Sequence, residues 1–462
     1  MKIFFKIFIL FFLVYIFSYS DINKSDLIQK LNKIFSKKVF KNTSYGISVV
    51  NLETQKKLYE KNAYKNFRPA SILKLITTYS AYNYLSDTFK IKTEFGLDKN
   101  NNLYVKGFGD AFFKTKDLEI IVNEIAKKNI KSIQNIIGDI SYFDNKHWGN
   151  GWMWDDEPNP SAMYISPLSI NFNTLEVCVN TNELNRQPKV ILNPNTSYFT
   201  IENKAQVKNK IKEKFSVNRK WIERENVIEI NGDFLYSTIA DTFRVNVWKP
   251  EFYFLTLLKE KLLENKISVN GEIQLGEFPK NIYSQFILTP IDSLIFTANK
   301  FSNNLCAENL LKIIAGERIG LPATADNGIL LEKNFLASIG IDTSEIVIAD
   351  GSGVSDYNLM SPNNFTTFLE KIYNEKNWEK FFSSLSIGGI DGTLKNRFKG
   401  TNVEGKVFAK TGTKRGIASL VGIVEKKNRG KIAFAIIINN YYGETKVLKN
   451  MIDEIVSTIY QN

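Results

Sequence analysis

Histidine is almost missing from this chain: His147 is the only one in 462 residues. A serine hydrolase that uses an imidazole base would depend on that single residue, and a metal site built from several histidines is excluded. His147 and Trp148 read better as packing residues. Cysteine is nearly as scarce, with Cys178 and Cys306 alone. They stand far apart, in what read as different domains, and two buried thiols fit better than a disulfide framework. No low-complexity tract or internal repeat stands out, and arginine is not clustered. The lysines are dispersed, densest over residues 204–214. That stretch reads as a solvated face, and no nucleic-acid partner is expected.

What is present describes a secreted globular protein. Hydrophobic residues make up 44% and charged residues 23%, enough for packed cores, and the length calls for two or three domains. The net charge of +12 suits a polyanionic neighbour, and anionic polymers or lipid headgroups at a surface could hold the protein peripherally. At the N-terminus Lys2 and Lys6 precede an apolar run over residues 7–17, then Ser18, Tyr19 and Ser20. Charged, apolar and small-residue segments in that order read as a secretory signal peptide over residues 1–20. An uncleaved anchor is the alternative, although the run is short for a span. Either way the bulk of the chain is expected outside the cytoplasm, in the periplasm or cell envelope.

Periodicity places the elements. Residues 25–35 read as a helix, and residues 45–51 alternate as a strand that pairs with residues 56–59. Arg68-Pro69-Ala70 leads into a helical pattern, so Ser71 sits at a helix start. From about 91 to 285 the texture is short strands, turns and basic loops, with turns at 193–195 and 231–233. Helices return at 291–300 and 305–315. Strands follow at 405–409, 417–424 and 431–439, the last two joined by a turn at 428–430, and a helix closes over 445–460. The expectation is an α/β sandwich of antiparallel sheet and flanking helices, interrupted by a long insertion. The catalytic part spans 21–90 and 286–462. The insertion, 91–285, divides into two subdomains at about 91–180 with 266–285, and about 181–265.

Three short motifs carry chemistry. Ser71-Ile72-Leu73-Lys74 puts an amine one helical turn from a hydroxyl. A serine needs a base to become a nucleophile, and lysine serves only when burial or nearby positive charge keeps it neutral. No other serine here has lysine three residues on. Ser302-Asn303-Asn304 stands just before a helix, where a hydroxyl could relay a proton and an amide could bind a substrate amide. Lys410-Thr411-Gly412, followed by Thr413, reads as the end of an edge strand able to pair with an extended peptide. Its ammonium and hydroxyl could grip a carboxylate, with Gly412 allowing close approach of substrate. Each motif alone is common; the ordered set is not, and it supplies a base that is not imidazole.

Ser-x-x-Lys, Ser-x-Asn and Lys-Thr-Gly in this order resemble the set of penicillin-binding proteins and serine β-lactamases. The long gap between Ser71 and Ser302 resembles the D-alanyl-D-alanine carboxypeptidase/endopeptidase family, the class C low-molecular-mass penicillin-binding proteins. That family carries extra domains between its first two motifs. Residues 151–156, 302–311, 350–355 and 389–394 look like further family blocks. The resemblance implies a penicillin-binding, serine β-lactamase-like transpeptidase domain with a long inserted region, acting on peptidoglycan stem peptides. Ser71 resembles the acylated nucleophile, Lys74 its base and Ser302 the proton relay. Asn304 resembles the substrate-amide ligand, Lys410 and Thr411 the carboxylate grip, and the N–H groups of Ser71 and Thr413 the oxyanion hole. Asp156, close after Trp152 and Trp154, is similar in position to a carboxylate that receives the free amine of the stem's third residue; an exposed loop acid is the rival reading. No metal or organic cofactor is implied, and β-lactams would be covalent inhibitors. A β-lactamase and a non-catalytic wall-binding protein remain the alternatives.

Overall fold

The structure, a computed structural model, describes residues 25–237, 239–426 and 430–462. Residues 1–20, read as a signal peptide, and most of the turn at 428–430 lie outside them. Residues 25–35 form the expected helix. Its apolar stripe, Leu27, Leu31, Ile34 and Phe35, is buried together with Leu448, Ile452 and Ile455 of the closing helix, Thr445–Gln461. Both helices cover one face of a six-stranded sheet.

That sheet runs Ser386–Ile387, Val407–Lys414, Ile417–Lys426, Gly430–Asn439, Ser44–Asn51, Lys57–Lys61, with every neighbour antiparallel. Strand Gly430–Asn439 shows why it lies between two helical layers. Phe434, Ile436 and Ile438 face the terminal helices, whereas Ala433, Ala435 and Ile437 face the other layer. Burial on both faces at about 1.5–3 kcal/mol per large aliphatic side chain makes it the anchor of the sheet. The second layer contains Lys74–Tyr84, Ile291–Lys300, Asn304–Arg318 and Pro362–Ile372.

The region between the first two motifs has a core of its own. A mixed five-stranded sheet runs Ile273–Leu275, Ile136–Asp139, Leu103–Gly107, Lys90–Leu97, Ser284–Pro290. Beyond it, Thr174–Asn180 lies between Asp241–Asn246 and Lys189–Asn193, and Val227–Asn231 lies between Ser216–Arg219 and Thr200–Asn203.

Several sequence expectations are corrected here. The stretch read as strands, turns and loops also contains two helices, Leu118–Lys127 and Pro250–Glu264. The first was legible: Leu118, Ile121, Val122 and Ile125 are buried at helical spacing. Lys410-Thr411-Gly412 is not at a strand end but in the middle of Val407–Lys414, because pairing with Ile417–Lys426 continues through Lys414. Cys306 is a buried free thiol, but Cys178 is only half-buried, on the outward side of an alternating strand.

Candidate active site

Chain geometry brings Ser71 to the mouth of a cleft. Residues Ala70–Leu73 form one tight 3₁₀ turn that runs into the helix Lys74–Tyr84. Ala70 has φ +52°, a left-handed conformation that costs an L-residue energy and persists only where the surroundings impose it. The surroundings are packed close on both sides. A Cβ on Gly353 would lie 2.1 Å from the Ala70 carbonyl oxygen, and one on Gly412 would lie 2.7 Å from that of Pro69. Gly412 therefore admits the turn that precedes Ser71 rather than substrate, and Ser419 Oγ donates to the Pro69 carbonyl at 2.6 Å. The strand and the turn before Ser71 are fixed against each other.

One turn after Ser71, the fully buried Lys74 places Nζ 3.0 Å from Ser71 Oγ, 2.5 Å from Asn304 Oδ1 and 2.6 Å from the Ser352 carbonyl. Burial lowers its pKa to about 8, against the opposing pull of Asp350 and Glu308. A neutral amine has two hydrogens and one lone pair. With Asn304 and Ser352 accepting the hydrogens, the lone pair is left for the Ser71 hydroxyl.

Ser302 lies between helices Ile291–Lys300 and Asn304–Arg318 with φ +59°, and Asn303 caps the second helix by accepting the Cys306 N–H at 3.0 Å. Lys410, also fully buried, donates to Ser302 Oγ at 2.7 Å and to the Thr411 carbonyl at 2.8 Å. Burial, with Lys74 nearby, holds its pKa well below the usual lysine value. Lys410 is thus placed behind Ser302, while Thr411 and Thr413 reach the cleft surface with Thr393, whose hydroxyl is 2.9 Å from that of Thr411. Asn304 is largely committed: its Nδ2 donates to the Ser161 carbonyl at 2.8 Å, and one N–H remains.

The cleft has a volume of about 750 Å³. Ser71, Ser302, Asn304, Thr411 and Thr413 line it together, and Asp155 and Asp156 of the inserted region line it too. Lys74, Lys410 and Gly412 lie beneath its wall. Asp156 accepts the Met153 N–H at 3.1 Å, closing its own short turn, and its carboxylate still reaches the cleft. His147 is elsewhere, half-buried and 3.0 Å from the Ile165 carbonyl. Among the described residues no group of His, Cys, Asp and Glu is arranged to hold a metal ion.

Sequence reasoning missed the layer under Lys74. Asp350 accepts from the N–H groups of Gly353 (2.9 Å) and Ser355 (2.8 Å) and from Asn358 Nδ2 (2.7 Å), which shapes the turn that presents the Ser352 carbonyl. Trp152 Nε1 donates to the same carboxylate at 2.8 Å, tying the inserted region to that turn. Below lie Glu308, pushed up to about 7 by burial and Asp350, and Glu332, driven well above the carboxylate range by burial. The block at 350–355 hinted at Asp350; nothing in sequence pointed to Glu332.

Antiparallel sheet, flanking helices, an extra domain region and this serine–lysine cleft define a penicillin-binding, transpeptidase-type α/β protein. The chain belongs to the D-Ala-D-Ala carboxypeptidase 3 (S13) family, which it matches over residues 27–461. It is 28% identical to the D-alanyl-D-alanine carboxypeptidase of Actinomadura sp. (strain R39), covering 91% of this chain and 82% of that protein. It is 25% identical to the D-alanyl-D-alanine carboxypeptidase DacB of Haemophilus influenzae, covering 92% and 89%. The crystal structure of penicillin binding protein 4 (dacB) from Haemophilus influenzae superposes with a TM-score of 0.80 at 23% identity, covering 95% of this chain and 99% of that one. Membership of a serine peptidase family supports an enzymatic role at the family level.

Proposed function

We propose that this protein is a serine-type D-Ala-D-Ala carboxypeptidase or endopeptidase that cleaves peptidoglycan stem peptides through an acyl-enzyme on Ser71. The observation that carries the reading is the buried Lys74 amine, 3.0 Å from Ser71 Oγ with its pKa lowered to about 8. Lys74 takes the Ser71 proton as the oxygen attacks the penultimate D-Ala carbonyl carbon. The developing oxyanion faces the backbone N–H groups of Ser71 and Thr413; one such donor typically contributes about 2.7–4 kcal/mol. Lys410 donates to Ser302 Oγ, which leaves the Ser302 proton free to pass to the departing amide nitrogen while Lys74 replaces it. The C–N bond breaks, the amine leaves, and water hydrolyses the ester by the reverse proton path.

Thr411 and Thr413 would receive the carboxylate of the leaving residue, and Asp156 the free amine of the stem. β-Lactams would acylate the same serine and leave slowly. The charge and the N-terminal segment suit a secreted protein of the periplasm or cell envelope. Fluorescent penicillin should label the purified protein covalently, with Ser71→Ala unlabelled. A label persisting on that variant at another residue would overturn the assignment.

A further inference from the structure

The cleft carries opposite charges on different walls. Asp155 and Asp156 stand on the inserted side, while Arg415, two residues beyond Thr413, and Lys449 line it from the catalytic part. Arg415 occupies the two-residue turn between Val407–Lys414 and Ile417–Lys426, and Lys449 belongs to the closing helix. The neighbouring Lys414 is already neutralised, 2.8 Å from Asp356 Oδ1. Arg415 and Lys449 differ from it: among the described residues neither side chain is within salt-bridge distance of an acid. Lys449 is half-buried with Arg397 close by; burial and that guanidinium disfavour its charge more than Asp453, on the same helix but beyond ion-pair distance, favours it, so an arriving anion would relieve it. Arg397 itself is neutralised by Asp453.

Charge counting then selects a ligand. A leaving terminal D-amino acid brings one carboxylate, which two threonine hydroxyls can satisfy. One carboxylate neutralises at most one cation, so two cations lining the same cleft, neither in an ion pair among the described residues, exceed that demand. A cross-linked leaving group brings more: further carboxylates along the second stem peptide and, where a diaminopimelate-type residue makes the cross-link, one next to the scissile amide. We propose that Arg415 and Lys449 form a leaving-side subsite for an additional carboxylate of a cross-linked partner stem, so that the cleft favours endopeptidase over carboxypeptidase cleavage. This rests on the reading of the site given above and adds its substrate preference.

The test uses the cross-linked dimer and the uncross-linked pentapeptide muropeptide, each purified from peptidoglycan. The readout is the ratio of kcat/KM for dimer to monomer, which a general loss of folding or chemistry leaves alone. In the native protein the ratio should favour the dimer by about tenfold, equivalent to about 1.4 kcal/mol. It should shrink with added salt and fall to about one in Arg415→Ala/Lys449→Ala. A ratio unmoved by the double substitution would overturn the proposal, as would equal losses on both substrates, which would make the two cations part of the terminal-carboxylate grip. Calorimetric binding of the same two muropeptides to Ser71→Ala separates this from failure of the parent reading. There a dimer preference that depends on Arg415 and Lys449 supports the subsite with no turnover at all, and its absence refutes it.

Discussion

In the base role proposed for it, Lys74 must be buried to lose its proton and must still touch the solvent-facing Ser71. Its pKa of about 8 makes the consequence measurable. Below that pH the neutral fraction falls about tenfold per unit, so the second-order rate of acylation by penicillin should rise with pH and level off above about 8. Stability carries the same signature. Between about 8 and the ordinary 10.5 the unfolded chain holds on Lys74 a proton that the folded one has released, so the contribution of Lys74 to stability should increase with pH across that window. Lys74→Met should lower the slope of stability against pH in urea melts across that window and slow acylation by about 10²–10⁴-fold. A near-native rate would remove Lys74 from the base role. The Ser71–Lys74 pairing could be read from sequence because helix geometry is local. The acceptors that orient the amine could not: Asn304 and Ser352 are brought in from elements remote along the chain.

The strand that carries Lys410, Thr411 and Gly412 is also the wall against which the Ser71 turn rests. In Gly412→Ala the new methyl would lie 2.1 Å from Ser419 Oγ and 2.7 Å from the Pro69 carbonyl, so strand or turn must move. Near-complete loss of penicillin labelling is expected even where circular dichroism shows a folded protein; full labelling would show that the contact yields cheaply. The cap of the helix Asn304–Arg318 is gentler. Asn303→Ala should cost about 1 kcal/mol in denaturant melts, and Asn303→Asp should restore most of it. Helices with clear stripes and the strands of the terminal meander were legible as elements. The middle position of Lys-Thr-Gly was not, because where a strand ends depends on how long its neighbour keeps pairing. Leu118–Lys127 shows the opposite failing: its pattern was in plain view among strand-like neighbours.

At the scale of the molecule, the cleft belongs to the inserted region as much as to the sheet. Asp156→Asn should reduce cleavage of natural muropeptides far more than acylation by penicillin, measured side by side; equal losses would make Asp156 a turn-forming residue only. Trp152→Phe removes the indole N–H that holds Asp350 while keeping an aromatic ring. It should slow penicillin acylation too, since Asp350 shapes the turn that presents the Ser352 carbonyl to Lys74. The chain's layout as a split α/β unit with an insertion was visible from motif spacing. The bond from Trp152 to Asp350 was not, because no local pattern joins residues so distant.

The order of the strands has its own implication for biosynthesis. Ser44–Asn51 is flanked in the sheet by Lys57–Lys61 and by Gly430–Asn439, so a strand made early waits for one made near the end. While the chain emerges, Ser71 and Lys74 already exist, but Lys410 and the wall that presses on their turn do not. A nascent or truncated chain that stops before residue 407 should therefore be unreactive toward penicillin however long it is. Competence would arrive abruptly, with the last strands, and not in proportion to length.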